Sequence, residues 1–318
     1  MINTVRNTVL SVLNKNNYGY LSPSDFNLFA KQAQLDIFEN YFYDYNSQIN
    51  KENKRLSGTG YADITKGIEE AIDIFSETKG LYTSFENIYS LPSPTTTGSD
   101  YYLLNKVLVR QVVTDEGTTT AFAGTFNEII DSAADFILAG VSVGDLVAIE
   151  SGGVQYLRVV SVNSLTSLTV TGVLLTAAGI DFAIYKKADK FEEAEKVSHG
   201  KITMLNNSLL TAPTVTYPSY TMESSDLTAY PEAIDSVGRV MVQYIRYPKE
   251  PNWTFLTLTN GEPVFSPTQP DYQDFEIPLD DEVNLILKIL QYAGISIREG
   301  EVYNFAQTEE LENNKEQL

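Results

Sequence analysis

The sequence predicts an α+β protein: a helical frame that carries β-strands and is interrupted by a small all-β barrel or sandwich insertion. Apolar residues recur at helical spacing on both sides of the chain's middle. Between Leu91 and Lys190 they alternate instead in short, branched runs opened by a Pro/Gly/Thr-rich stretch. The frame is therefore expected to be discontinuous, residues 1–91 and 191–318, with 92–190 as an inserted small β-domain. With 318 residues, 43% of them hydrophobic, the chain is long enough for two domains or for one domain with a large insertion.

Each frame element follows from its local signals. Asn3 is an N-cap for a short helix carrying Val5, Val9, Val12 and Leu13, broken by Asn14–Gly19. Ser22 and Pro23 provide a cap and a first-turn proline, and Asp25 complements the helix dipole. The pattern from Phe26 to Tyr45 then makes the longest helix, its aromatic stripe directed into a core. Ser57-Gly58-Thr59-Gly60 is a turn, since no GK[ST] follows to make a phosphate loop. A third helix with Ile64, Ile68, Ala71, Ile72 and Phe75 on one face is expected, with Gly80 just past its end. Tyr82–Leu91 reads as a strand ended by Pro92-Ser93-Pro94.

Within the insertion, Tyr101–Val113, Leu146–Glu150, Val154–Val162, Leu165–Val173 and Ile180–Lys186 read as strands, with a hairpin turn at Ser151-Gly152-Gly153. Gly140 and Gly144 suit a tight barrel corner before a strand entry. Past Lys190, Phe191, Ala194 and Val197 suggest a return to helix, continued through Gly200–Pro213. Tyr-Pro occurs at Tyr217-Pro218, Tyr230-Pro231 and Tyr247-Pro248, each pinning extended backbone. Val237–Tyr247 is the clearest frame strand, apolar on both faces and so interior. Asn260-Gly261 signals a two-stranded ribbon between Phe255 and Phe265. Pro278 and Asp280-Asp281-Glu282 open a helix ending at Gly294, followed by a helix over Glu299–Leu311 and an acidic, solvated tail.

Charge and composition narrow the function. Against 22 Lys and Arg stand 42 Asp and Glu, a formal charge of −20 that repels nucleic-acid phosphates. Arg110, Arg158, Lys106, Lys186 and Lys187 are too few for a basic oligonucleotide surface on the insertion. Zero cysteines exclude disulfides and Cys-ligated metals. The Met1–Leu13 start lacks the apolar core of a signal peptide, and Val170–Tyr185 is shorter than the ~20 residues of a spanning helix, so no membrane association is expected. The single histidine, His199, reads as a cap or surface residue, and no G-x-S-x-G accompanies it. Glu69-Glu70, Glu192-Glu193 and Asp280-Asp281 read as solvated helix faces. No catalytic, cofactor-binding or metal-ligating residues are expected, and no enzyme activity.

Four stretches resemble a known family: "MINTVRNTVLSVLNKNNYGYLSPSDFNLFAKQAQLDIFENYFYDYN", "KITMLNNSLLTAPTVTYPSY", "RVMVQYIRYPKEPNW" and "DFEIPLDDEVNLILKILQYAGISIREGEVYNFAQ". They are similar to head-to-tail connector, adaptor or ring proteins of tailed bacteriophages, especially those of crAss-like phages. They cover about half the chain and contain no catalytic motif. The insertion's "DFILAGVSVGDLVAIESGGVQYLRVVSVNS" also resembles a β-module of phage connector and tail proteins.

The resemblance implies a virion structural protein in the neck, a homo-oligomeric and usually dodecameric ring that binds the portal protein and the next ring or tail. DNA would pass through its lumen without sequence-specific contacts during ejection, and other virion proteins would dock on the insertion. It further implies portal or neighbouring-ring docking through the terminal helix pair, with Leu285, Ile286, Ile289, Leu290, Tyr292, Tyr303 and Phe305 as contact residues. On that expectation, deleting residues after Pro278 leaves a folded chain. Two other classes remain: a receptor- or carbohydrate-binding virion protein using Tyr101, Tyr102 and Tyr156, and a virion-associated hydrolase needing two carboxylates roughly 5–9 Å apart.

Overall fold

A computed structural model describes residues 1–13, 21–53, 64–95, 100–121, 127–151, 153–172, 178–259, 261–297 and 307–308. Three helices come first, α1 (Ile2–Leu13), α2 (Pro23–Asn53) and α3 (Ile64–Asp73). Strands β1 (Ser76–Gly80), β2 (Tyr82–Phe85), β3 (Ile88–Ser90), β4 (Tyr101–Arg110), β5 (Val113–Thr118) and β6 (Glu128–Ile130) follow. Next are β7 (Leu146–Glu150), β8 (Val154–Val162), β9 (Ser167–Val170), β10 (Asp181–Tyr185), β11 (Phe191–Glu193) and β12 (Glu195–Lys196). Helix α4 (His199–Asn206) precedes β13 (Ser219–Glu223), β14 (Asp226–Tyr230), β15 (Val240–Arg246), β16 (Phe255–Thr257), β17 (Pro263–Phe265) and α5 (Glu282–Ile297). The chain is α+β, as its patterning predicts, and divides into two units: Met1–Phe75 with Pro248–Leu318, and Ser76–Tyr247.

The first unit is helical. Ser22 caps α2, its hydroxyl accepting the Asp25 N–H at 3.2 Å while its carbonyl accepts from Phe26 at 2.9 Å. Phe26, Ala30, Ala33, Ile37 and Phe38 are buried along α2, with Ile2, Val5 and Val9 of α1 and Leu285, Ile289 and Leu290 of α5. Trp253 is the unit's largest buried side chain. Its ring stacks with Phe255 and Phe265 at 5.6 and 5.9 Å, the Arg6 guanidinium lies 3.8 Å from its centroid, and its Nε1 donates to Asn3 Oδ1 at 3.1 Å. Such a ring buries large apolar area while satisfying its one donor.

The second unit is almost entirely β. A four-stranded sheet β1-β15-β4-β11 faces a five-stranded sheet β12-β13-β14-β3-β2. Tyr89, Val107, Val109, Leu227, Ala229, Val240, Val242 and Tyr244 fill the space between them. A third sheet, β5-β10-β7-β8-β9-β6, curls around Ile129, Phe136, Val147, Ile149, Leu168, Phe182 and Ile184. An antiparallel bridge from Ala121 to Ile130 joins its last strand to the chain beyond β5. Gly140 and Gly144, with φ of 75° and 91°, turn the chain into β7, the corner their spacing predicts. The Tyr230–Pro231 bond is cis.

Several expectations differ from this architecture. Gly80 does not cap α3, which ends at Asp73; Ser76–Gly80 pairs with β15, and Gly80 is glycine because the Tyr156 ring lies against it. Tyr82–Leu91 is a hairpin of two strands turning at Glu86, φ 47°. Tyr101–Arg110 belongs to the frame sheet, paired between β15 and β11, so the 92–190 segment does not stand apart as one body. Phe191, Ala194 and Val197 are not helical: their three-residue spacing arises because the chain crosses from one sheet to the other between Glu193 and Glu195. The Gly200–Pro213 helix shortens to α4. Gly294 is buried inside α5, which continues to Ile297. The Asn14–Gly19 break, the Ser57–Gly60 turn, Gly152, Val173, Asn260 and the tail lie outside the described residues. So does nearly all of the Glu299–Leu311 helix, apart from residues 307–308, which are helical.

Two consequences are measurable. Deleting residues after Pro278 removes the buried Leu285, Leu287, Ile289 and Leu290 from the helical unit, each worth roughly 2–4 kcal/mol in a core. The truncated chain is therefore expected to lose α-helical circular dichroism well beyond the deleted residues and to be rapidly proteolysed there. Gly238 has φ 65°, and a Cβ there would lie 2.5 Å from the Ala148 Cβ. Gly238→Ala should cost about 3 kcal/mol by denaturant titration, and a change under 1 kcal/mol would contradict the packing described.

Candidate interaction surface

The seven residues expected to dock a partner divide sharply. Leu285, Ile289 and Leu290 are wholly buried in the helical unit's own core. Ile286 and Tyr292 are half-buried, and the Tyr292 hydroxyl donates to Asp36 on α2. Tyr303 and Phe305 lie outside the described residues. Among the residues of α5 and its preceding turn whose side chains are described, the exposed large apolar ones are Leu279 and Val283. One helical turn apart, they form a short stripe with Ile286 that none of the expected contacts except Ile286 shares.

Several exposed apolar side chains lie in the second unit, on the segment joining β12 to β13. Ile202 alone of α4 is buried; Met204 and Tyr217 are exposed, and Leu209 and Leu210 are fully exposed at 103% and 97%. This arm is ordered by turns: Ser208 N–H donates to Leu205 O, Ala212 N–H to Ser208 O and Tyr217 N–H to Thr214 O. Gln111 Nε2 ties its far end down through Val215 O at 2.8 Å. Its backbone conformation is thus held while its leucines find no cover. A second, smaller apolar tip is formed by Ile137, Leu138 and Val143 at the mouth of the curled sheet.

Electrostatics sets these surfaces apart from the rest. Among the described residues, Arg6, Arg110, Arg239 and Arg246 are buried, and of the acids Asp131 and Asp145 are, so more positive than negative charge is withdrawn from solvent there. Of the five basic residues weighed as an oligonucleotide surface, Arg110 is enclosed by Tyr156, Tyr185 and Phe191, at 5.5, 5.0 and 4.4 Å. Lys106 pairs with Glu193 at 2.9 Å, Lys186 with Asp145 at 3.1 Å, and Arg158 donates to Gly144 O. Lys187, the fifth, is exposed, and a single lysine does not make a basic patch. By contrast, no Asp, Glu, Lys or Arg occurs between Lys201 and Glu223, the span of the arm.

Aromatic and carboxylate candidates are likewise engaged. Tyr156 is held by its hydroxyl on Gly238 O at 2.8 Å, Tyr101 packs on the sandwich core, and Tyr102 meets Tyr247 edge-on at 5.3 Å, so each already has a partner within the chain. Glu69 accepts the Tyr45 hydroxyl, Glu193 pairs with Lys106, and Asp281 accepts from Tyr41 and Asn284. Glu192-Glu193 stands in β11 rather than on a helix. His199 is exposed with Nε2 3.0 Å from Met222 O. Among the described residues no three His, Cys, Asp or Glu are grouped to hold a metal, and no helix is long and apolar enough to cross a membrane. The arm escaped the sequence reading because its apolar spacing imitates a helix; the signal present but unused was its lack of charge. No protein-family model matches this chain, and no curated protein matches it either.

One carboxylate is strongly perturbed. Burial pushes Glu150 up to about 7, with the Thr83 N–H, 2.6 Å from Oε1, opposing and Asp181 adding to the rise. The folded chain thus holds this proton at pH values where the unfolded chain, titrating near 4.5, has released it. Stability should therefore fall as pH rises from about 4.5 to 7. The group is only partly shielded, so solvent screening reduces the effect to about 1 kcal/mol. Glu150→Gln, whose amide oxygen still accepts from Thr83, should match the parent near pH 4.5 and exceed it by that amount at pH 8; identical pH profiles of melting temperature would refute the assignment.

Proposed function

We propose that this chain is a virion structural subunit of a tailed phage, forming a cyclic ring in the portal-tail neck and joining the portal to the next ring or tail. The observation that carries this reading is the arm: a defined, uncharged segment presenting Met204, Leu209, Leu210 and Tyr217 to solvent on a chain otherwise strongly acidic. Fully exposed paired leucines on an ordered loop are an incomplete interface, and an assembly subunit is where such a loop is covered. A heterologous ring supplies the cover, because each subunit then meets its neighbours through two different faces.

The charge distribution supports the same role. Burying arginines while leaving carboxylates outside gives a surface that repels DNA, so a lumen made of it lets DNA slide without being gripped. Assembly occurs in the host cytoplasm and the product resides in the virion neck. The terminal helix docks, on this reading, by the Leu279, Val283 and Ile286 stripe rather than by its buried leucines.

Native mass spectrometry and negative-stain microscopy with and without portal test the proposal. The parent chain is expected to form closed rings, alone or on the portal. Leu209→Asp with Leu210→Asp should leave the melting temperature within about 2 °C, since neither side chain contributes to a core, while weakening assembly more than tenfold. A parent chain that stays monomeric in the presence of portal would overturn the ring assignment.

A further inference from the structure

The ribbon β16–β17 points to the contact by which one copy meets the next. Phe255 and Phe265, directly opposite each other, turn their rings onto Trp253. The alternate positions Leu256 and Val264, also opposite each other, are exposed, as is Leu258 just beyond β16. Among the described residues no other strand pairs with either edge. A two-stranded ribbon with an uncovered apolar face is marginal by itself, and open edges are templates for another chain.

The hydrogen-bond pattern fixes which groups are free. Ser266 N–H donates to Thr254 O at 3.0 Å, and Leu258 N–H to Glu262 O at 2.9 Å. Alternation along an antiparallel pair then directs the N–H and C=O of Phe255 and Thr257 outward on one edge, and those of Pro263 and Phe265 outward on the other. Pro263 has no N–H, so the two edges are unequal: one offers two donors and two carbonyls, the other one donor and two carbonyls.

We infer that the occupant of each ribbon edge is the opposite edge of the ribbon from a second copy of this chain. Joined head to tail, β17 of one copy runs antiparallel beside β16 of the next, with about three hydrogen bonds per junction, and repetition around an axis yields one continuous closed sheet. A two-fold joint between like β16 edges would stop at two copies, so a ring requires the heterologous joint, in which the Thr257 carbonyl opposite Pro263 goes without a backbone donor. Low charge permits it: between Pro251 and Phe265 the only ionised side chain is Glu262, so copies that each carry −20 meet there with little repulsion. The inference rests on the ring reading but is separable from it.

Thr257→Pro tests it directly, removing an outward N–H while leaving the ladder between β16 and β17 intact. The variant is expected to keep the parent circular dichroism and to lose ring formation by more than tenfold in native mass spectrometry. Because the chain has no cysteine, a second test does not depend on that fold: Leu256→Cys chains mixed with equal Val264→Cys chains under mild oxidation. Mixed disulfide dimers in excess over both homodimers support the head-to-tail joint. Rings that form with unchanged yield in Thr257→Pro, or cross-links no more frequent between the two variants than within each, overturn the ribbon joint while leaving the ring standing. A parent chain monomeric even with portal overturns both.

Discussion

Everything between Ser76 and Tyr247 depends on the short loop Ser236–Arg239, where the curled sheet is fastened to the sandwich. The Tyr185 and Tyr156 hydroxyls donate to the carbonyls of Val237 and Gly238 at 2.5 and 2.8 Å. On the sandwich side, Tyr89 donates to Ile234 and Ser236, and Arg239 reaches the carbonyls of Arg110, Gln111 and Ala233. The three tyrosine hydroxyls and Arg239 therefore all end on backbone carbonyls, which fixes position as well as energy. The small residues Ala148 and Ala183 are what let the loop approach the sheet so closely. Larger side chains there would lift the curled sheet off its anchor.

Arg110 illustrates how the joint tolerates a buried cation. Its guanidinium lies against three aromatic rings, and Asp189, itself shielded, faces it at 4.0 Å. Aromatic faces and a nearby carboxylate compensate for lost water without demanding a tight bidentate pair. Glu77 has the converse setting: burial pushes its carboxyl up, yet Lys79, the Tyr244 hydroxyl and Arg246 together hold it below the usual range. In both cases a scarce positive charge stabilises the interior rather than decorating the surface. The acidity of the exterior is thus partly a consequence of how the interior is built.

Long signals were legible and short ones were not. Ser22-Pro23 and the stripe from Phe26 give α2 without ambiguity, and Leu146–Glu150 and Val154–Val162 coincide with β7 and β8. Val237–Tyr247 contains the interior strand β15, as its two apolar faces predict, whereas residues 191–213 misled because their strands are brief and change sheets. A crossing at Ala194 imitates helical spacing, and pairing between β4 and β15, more than 130 residues apart at Val109 and Val240, has no local signature. The terminal helix was legible as a helix but not as a surface. Its apolar residues Leu285, Ile289 and Leu290 form a core stripe, and core stripes and docking stripes have the same period. Only the neighbours of a helix decide which it is.

That ambiguity points to a more dependable sign of an interface than apolar periodicity. In a chain where one residue in five is charged, Ile202–Met222 runs for 21 residues without a charge. Charges keep an acidic protein soluble by repelling its copies; where they are missing and leucines stand exposed, repulsion is lowest and apolar gain is largest. The same two conditions recur on the ribbon from Phe255 to Phe265, in the other unit. Each unit of this chain thus carries one place where exposed apolar side chains and low charge coincide.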